Sequence, residues 1–324
     1  MGESSADVLV VGGGPVGLYG LYLTGLHHLK TTMIERLSSL GGQLEHLYPQ
    51  KPIYDVGGFP AVTGHDLVEQ LKRQAQQYPS QILLGTTART LEAKGGLWHI
   101  ETDHGRFAGR AVIITAGIGE FIPRRFNQDA IDRFEGRGLH YVVRDLSVFR
   151  DQSVLVVGGG DSAADWAMAV APLAKKVWMI HRRDQFQCHE DSLAKLQALP
   201  NVELLPRHQL VGLDGDQEML SVAHLQHNQT QGTTRLDVSR VIVAIGLVPG
   251  TTIFHDWNLT LNGHEIAVNS AMHTNLPGVF AAGDIVNYPG KVKLISAGFG
   301  EVATAVESAR HYLLTAPALE MSHS

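Results

Sequence analysis

Two stretches of the chain carry the same pattern of apolar and small positions. Val8–Val11 (VLVV) runs into GGGPVG, and Val154–Val157 (VLVV) runs into GGGDSA, 146 positions later. A short apolar run closed by glycine predicts a buried strand. After each turn the apolar residues recur with helical spacing, over Tyr19–Leu29 and Ala164–Leu173, and a second apolar run follows, Thr31–Ile34 and Val177–Ile180. Strand, glycine turn, helix and strand are therefore written twice.

The rest of the pattern is laid around these two units. Asp66–Tyr78 has helical spacing, whereas Ile82–Leu84, Thr90–Ala93 and Leu97–Thr102 read as strands of a small antiparallel layer. Arg110–Thr115 predicts a buried strand ending at Ala116-Gly117. Leu220–His227 and Thr233–Val238 predict a hairpin, Val241–Ile245 a buried strand, Gly278–Asp284 (GVFAAGD) a strand ending in Gly-Asp, and Ser296–Leu314 a helix. His27-His28 fits a helix end. The long loop Ser39–Pro60 carries glycine, proline and aromatic residues, and ordered loops of that length are often functional.

The turns carry the chemistry. Each reads G-x-G-x-x-[GA]: Gly12, Gly14 and Gly17, then Gly158, Gly160 and Ala163. The first glycine permits the turn, the second leaves room for a pyrophosphate, and the small third residue lets helix and strand pack closely. The helix N-terminus, opening with Pro15 in one copy and Asp161-Ser162 in the other, offers free N–H groups to the phosphates. This context predicts an α/β fold with two Rossmann-like, three-layer ββα dinucleotide-binding domains.

What closes the second strand of each unit separates the ligands. In the first it is Glu35, whose carboxylate accepts from both ribose hydroxyls of an adenosine and repels a 2′-phosphate. In the second it is His181-Arg182-Arg183. That run is either a guanidinium fork for a 2′-phosphate or a solvated basic turn. The natural pair is FAD in the first unit and NADP(H) in the second. Gly283-Asp284 leaves two readings open: an acceptor for a ribityl hydroxyl, or a turn aspartate.

The expected organisation is a discontinuous FAD domain, 1–120 and 248–314, interrupted by an NADP domain, 121–247, and followed by a tail, 315–324. Glycine and proline at both crossings, Ile118–Arg124 and Gly246–Gly250, fit hinges.

Composition narrows the function. The chain has 324 residues, 44% hydrophobic and 18% charged, so it can build large cores. A net charge of −6 offers no basic field for nucleic acid. No apolar run approaches a membrane span, and the polar start MGESSADV does not read as a signal peptide. Cys188 is the one cysteine, which fits a reducing cytoplasm and excludes intrachain dithiol chemistry. The 17 histidines show no metal-ligand spacing.

In order, GGGPVG, Glu35, GGQL, Ala116-Gly117, GGGDSA, HRR and AAGD make the chain resemble the two-dinucleotide flavoproteins that include bacterial thioredoxin reductase. Those enzymes carry C-x-x-C just before the second glycine turn. Here Leu139–Phe149 has no cysteine. The motifs at Gly41–Asp55, Leu139–Tyr141, Gly158–Ala167 and Lys293–Glu301 instead resemble the thioredoxin-reductase-like ferredoxin–NADP⁺ reductases. That resemblance implies that Glu35 holds the FAD ribose, that Gln43 and Tyr48 contact the flavin with Tyr48 stacked on it, and that Ala88 meets the adenine end through its backbone. It further implies that Phe121 lies beside the crossover, that Asp284 holds the flavin chain, and that a C-terminal ring, His323, covers the other flavin face, often across a homodimer. Ser324 stands where relatives carry a terminal Ser or Thr contact.

Tyr48 and His323 are then the candidate catalytic residues, as electronic and steric controls rather than acid–base groups. His323 also reads as a surface histidine. Without a dithiol the flavin must discharge directly, to a two-electron acceptor or in single steps to a carrier such as ferredoxin or flavodoxin. Such carriers are typically acidic, and Arg36, Lys51, Arg124, Arg125, Lys291 and Lys293 are the candidate basic patch. Two other functions fit the same motifs: an NADPH-dependent quinone or flavin diaphorase, and a redox-responsive FAD/NADP-binding protein.

Overall fold

A computed structural model describes residues 5–117, 119, 121–249 and 253–315. The chain forms two compact units. One comprises Met1–His46, Ile53–Phe121 and Pro249–Ser324, and the other Leu47–Pro52 and Ile122–Val248.

In the first unit, strand Ala6–Val11 lies at the centre of a sheet between Thr31–Ile34 and Gly105–Ile114, parallel to both. Val8 faces Thr31 on one side and Ala111 on the other. Val8, Leu9 and Val10 are fully buried. Such a strand has no polar face to show, which is why it reads as an unbroken apolar run. Helix Pro15–Leu26 follows the first turn and ends at His27, with His28 at φ 57°.

Gln81–Leu83 departs from the expected antiparallel layer. It pairs parallel with Thr31–Ile34, Thr32 opposite Gln81, and extends the central sheet. The reason is the crossover helix Gly64–Ala75, which returns the chain in the same direction. Thr63 caps that helix by accepting from the Asp66 N–H at 3.1 Å. Ala88–Lys94 and Leu97–Thr102 are antiparallel, as expected. They are continuous with the main sheet, because Gly105–Ile114 is ten residues long. Its first half pairs antiparallel with Leu97–Thr102 and its second half parallel with Ala6–Val11. Val279–Ala281 returns to the other edge of that strand, Val279 opposite Val112.

The second unit repeats the plan. Five parallel strands lie in the order Leu139–His140, Arg240–Val243, Ser153–Val157, Lys176–His181, Val202–Pro206. Helix Asp161–Val170 buries Ala163, Ala164, Trp166, Ala167 and Val170. An antiparallel three-stranded layer, His208–Gly215, Leu220–His227 and Thr233–Asp237, completes it. The hairpin was legible in the sequence. Its third strand, His208–Gly215, was not, because it alternates buried and open positions around a bulge between Leu210 and Gly212.

The short segment Leu47–Pro52 groups with the second unit rather than the first. Tyr48 packs against the cluster around Val143, Phe149 and Trp166, and Lys51 pairs with Asp165 at 2.8 Å. Among the described residues no helix is long and apolar enough to cross a membrane.

Candidate functional site

The first glycine turn is built for close approach. Gly12 sits at φ +109°, and a Cβ there would fall 2.6 Å from the Thr115 carbonyl oxygen. A Cβ on Gly17 would fall 2.0 Å from the Gly12 carbonyl oxygen. At Gly14 a Cβ would meet nothing within 4 Å, so the turn is open on that side. A phosphate can reach the backbone there, at the N-terminus of a helix begun by Pro15.

Glu35 is buried at the end of the second strand. Its carboxylate accepts from the Gly13 N–H at 2.5 Å and the Leu37 N–H at 2.7 Å. Each oxygen keeps a lone pair for a further donor. The Glu35 carbonyl accepts from the Thr86 N–H at 2.9 Å, which draws the segment leading to Ala88 alongside the acid. Ala88 itself is buried.

The loop after the second strand closes over the turn: the Gly41 N–H donates to the Gly13 carbonyl at 2.9 Å. A Cβ on Gly42 would lie 3.0 Å from Gly14 Cα, and one on Gly117 would lie 3.5 Å from Gln43 Nε2. Gln43 thus stands between the glycine turn and the strand end Ala116-Gly117. At the neighbouring strand end, Gly283 has φ +87° and packs against Val16 of the first helix. The Asp284 carboxyl has no hydrogen-bond partner among the described residues. Burial pushes its pKa up, and the Lys291 and Lys293 charges oppose that shift. A withdrawn carboxyl without a donor, beside an open glycine cradle, fits the hydroxyl-rich chain of a flavin dinucleotide.

The second turn has the same construction. A Cβ on Gly158, at φ +150°, would fall 2.3 Å from the Ala244 carbonyl oxygen, and Gly160 is open within 4 Å. Ala163 is fully buried at the third position and Ser162 is exposed in the first turn of the helix. Asp161 accepts from the His189 N–H at 2.9 Å and so ties the following loop beside the turn.

His181, Arg182 and Arg183 divide their work. The His181 ring lies where a Cβ on Gly159 would be, 2.2 Å away, and its Nε2 is buried without a partner. Burial first, then Arg183 and Arg182, push its pKa down, so the ring is neutral at pH 7. It fills the wall of the turn. Both arginines are exposed. Their carbonyls are held, Arg182 by Asn228 Nδ2 at 2.7 Å and Arg183 by the Arg207 N–H at 3.0 Å. Neither guanidinium meets a carboxylate among the described residues.

The remaining candidates scatter. Tyr48 lies in the second unit, with Lys51 Nζ 5.3 Å from its ring centroid. Phe121 begins the short strand Phe121–Pro123. His323 and Ser324 lie outside the described residues. The basic patch changes most. Lys291 is buried, its side chain 6% exposed against Glu301, so it is no surface charge. Lys51, Arg125 and Lys293 pair with Asp165, Glu135 and Glu265. Arg36 and Arg124 remain exposed.

The pairing of Lys291 with Glu301, a buried ion pair at 2.6 Å, was not foreseen from the sequence, where Lys291 stood as a surface charge and Glu301 only as the end of a motif. A charge within an otherwise apolar helical pattern, followed by small residues, was the available signal.

Comparison with known proteins agrees with this construction. Residues 6–309 match the family model described as pyridine nucleotide-disulphide oxidoreductase. A protein of Halalkalibacterium halodurans named ferredoxin–NADP reductase is 43% identical over 312 residues, covering 96% of this chain and 94% of that one. A protein of the same name from Geobacillus kaustophilus is 41% identical over 319 residues, covering 98% and 96%. Among solved structures, the thioredoxin reductase of T. acidophilum superposes with TM-score 0.84 at 22% identity, covering 97% of this chain and all of that one. The thioredoxin reductase of Lactococcus lactis gives 0.81 at 24%, covering 96% and 99%. These two carry the fold, with its two Rossmann-like domains. The chain belongs to the pyridine nucleotide-disulphide oxidoreductase family.

Proposed function

We propose that this chain is an FAD-dependent ferredoxin–NADP⁺ oxidoreductase. The observation that carries the reading is the contrast between two cradles of one design. One second strand ends in a buried acid, Glu35, and the other in two exposed guanidinium groups without carboxylate partners among the described residues. The relatives named ferredoxin–NADP reductase, aligned over nearly the whole chain, support the same assignment.

In this reading Gly12, Gly14, Pro15 and Gly17 receive the FAD pyrophosphate, and Glu35 holds its ribose with Ala88 nearby. Gln43 and Asp284 hold the flavin end. Gly158, Gly160, Asp161, Ser162 and Ala163 form the second phosphate turn. His181 supports it, and Arg182 and Arg183 hold the 2′-phosphate by charge-assisted bonds. The family resemblance assigns Phe121, Tyr48, His323 and Ser324 to the flavin as well, with Tyr48 and His323 as ring neighbours that would limit access rather than move protons; His323 and Ser324 lie outside the described residues. Bound FAD supplies the conversion between a two-electron donor and one-electron acceptors. Cys188 is the chain's one cysteine, so no dithiol relays the pair. Flavodoxin is a second carrier of the same chemistry. A homodimer is the assembly through which a C-terminal ring would reach a neighbouring flavin.

Anaerobic stopped-flow mixing tests the assignment. NADPH should bleach the flavin rapidly, and the reduced enzyme should pass electrons to purified ferredoxin with saturable kinetics. Turnover with small quinones and no saturable gain with ferredoxin would make it a diaphorase. Flavin that bleaches only slowly would make it a binding protein.

A further inference from the structure

One carboxylate in the first unit is buried more completely than its charge allows unless several groups share it. Glu301, on the helix Ile295–Thr315, has a side chain 5% exposed. It receives three donors from two other segments. The Gly283 N–H donates to Oε2 at 2.8 Å, and the Tyr288 hydroxyl and Lys291 ammonium donate to Oε1 at 2.7 and 2.6 Å. Lys291 is 6% exposed, and its ammonium lies 5.9 Å from the Tyr288 ring centroid. The bond to Glu301, together with burial, pushes the Tyr288 hydroxyl up to about 12, so it stays a donor.

A buried ion pair is a poor way to gain stability, because desolvation cancels most of the attraction. Its better use is to fix geometry. Here the geometry fixed is that of the Gly283-Asp284 turn. Gly283 is at φ +87°, and a Cβ added to it would lie 3.3 Å from Val16 Cγ2. A Cβ on Gly298, one helical turn before Glu301, would lie 2.6 Å from the same Val16 carbon and 3.5 Å from Gly283 Cα. The turn is therefore held between the start of the first helix, which follows the GGGPVG cradle, and the last helix. The only polar tie across that contact is Gly283 N–H to Glu301 among the described residues.

We propose that Glu301, Lys291 and Tyr288 form a brace that positions the Gly283-Asp284 turn for FAD. They are positioning residues and need not touch the cofactor. Glu301 sets the turn by its bond to the Gly283 N–H. Lys291 neutralises Glu301, and its charge, with that of Lys293, also acts on the Asp284 carboxyl. Glu301 and Glu265 are the acids that act on that carboxyl, both in the same direction as burial. This inference rests on the reading of Asp284 as a flavin-chain acceptor.

The test uses the full chain. A double variant, Lys291→Met with Glu301→Gln, removes both charges without leaving either one alone. Glutamine keeps an acceptor for Gly283. FAD affinity is measured by titrating apoprotein, alongside the visible absorption spectrum of the bound flavin and the apoprotein's thermal midpoint. With an unchanged apoprotein midpoint, the FAD Kd should rise about tenfold, the scale of one lost charge-assisted contact. The bound flavin's band should also lose its fine structure. Adding Asp284→Asn should then cost less than it does in the parent, because coupled residues are not additive. A Kd within twofold of the parent with an unchanged spectrum overturns the brace, as does strict additivity with Asp284→Asn. If Asp284→Asn alone binds FAD like the parent, the flavin-chain reading of Asp284 fails. The brace then stands or falls on the double variant's Kd and spectrum. Should the double variant fold poorly, Tyr288→Phe removes one donor at little structural cost. It should shift the bound flavin's spectrum in the same direction, and no shift would overturn the proposal.

Discussion

In the proposed reading, single side chains select the nucleotide at each cradle. Arg182 and Arg183 are held by their carbonyls and leave their guanidinium groups exposed. Replacing both with Ala should raise the KM for NADPH by about 10- to 100-fold, the scale of two charge-assisted contacts in partial exposure. The KM for NADH should stay within twofold, since NADH has no 2′-phosphate to lose. Steady-state kinetics with each nicotinamide measure this, and an equal loss with both would reject the fork. The place of Glu35 after TTMI marked it in the sequence as a candidate ribose acceptor. Its second task, accepting from Gly13 and Leu37, was not, because those donors meet it only once the turn folds back.

Elements impose tighter constraints than residues. The third glycine of the first turn admits no side chain, because a Cβ on Gly17 would sit 2.0 Å from the Gly12 carbonyl. Gly17→Ala should destabilise by about 3 kcal/mol, at the upper end of overpacking costs. The variant should purify with substoichiometric FAD, read from its visible absorbance. The second turn has Ala163 at the same position, so Ala163→Gly should cost only about 1 kcal/mol of helix propensity and leave NADPH binding intact. Strand Leu139–His140 supplies a pH dependence. The His140 Nε2 is buried without a partner, and its ring packs on Phe149 at 5.1 Å. Burial first, then Arg240, push its pKa down to about 4. The unfolded chain therefore takes up a proton that the folded chain refuses between about pH 6.5 and pH 4. Stability is full above that window and falls as pH drops through it, by roughly 3 kcal/mol at most. Urea midpoints of the parent at about pH 7 and about pH 5 should differ more than those of His140→Phe. Equal differences would show that other groups carry the acid sensitivity.

At the scale of the whole molecule, electrons must leave without sulfur. Burial first, then Asp161 and Asp165, push the Cys188 thiol up. Such a thiol is a weak nucleophile at neutral pH. Cys188→Ser should retain ferredoxin reduction within about twofold, and the parent should react slowly with a disulfide reagent. Loss of activity in the serine variant would mean that the cysteine takes part.

Local pattern alone determined the repeated strand–turn–helix–strand, the glycine spacing, and the acid and arginine pair that close the two second strands. Buried parallel strands and tight phosphate turns leave continuous signatures, because every residue in them meets the same demand. Tertiary structure decided what depends on distant partners. It set Gln81–Leu83 parallel to Thr31–Ile34, drew Leu47–Pro52 onto the second unit, and buried Lys291 against Glu301. A lysine beside a proline and glycine reads as a surface charge. Only the folding of the last helix supplies the carboxylate, Glu301 ten residues on, that lets it leave water.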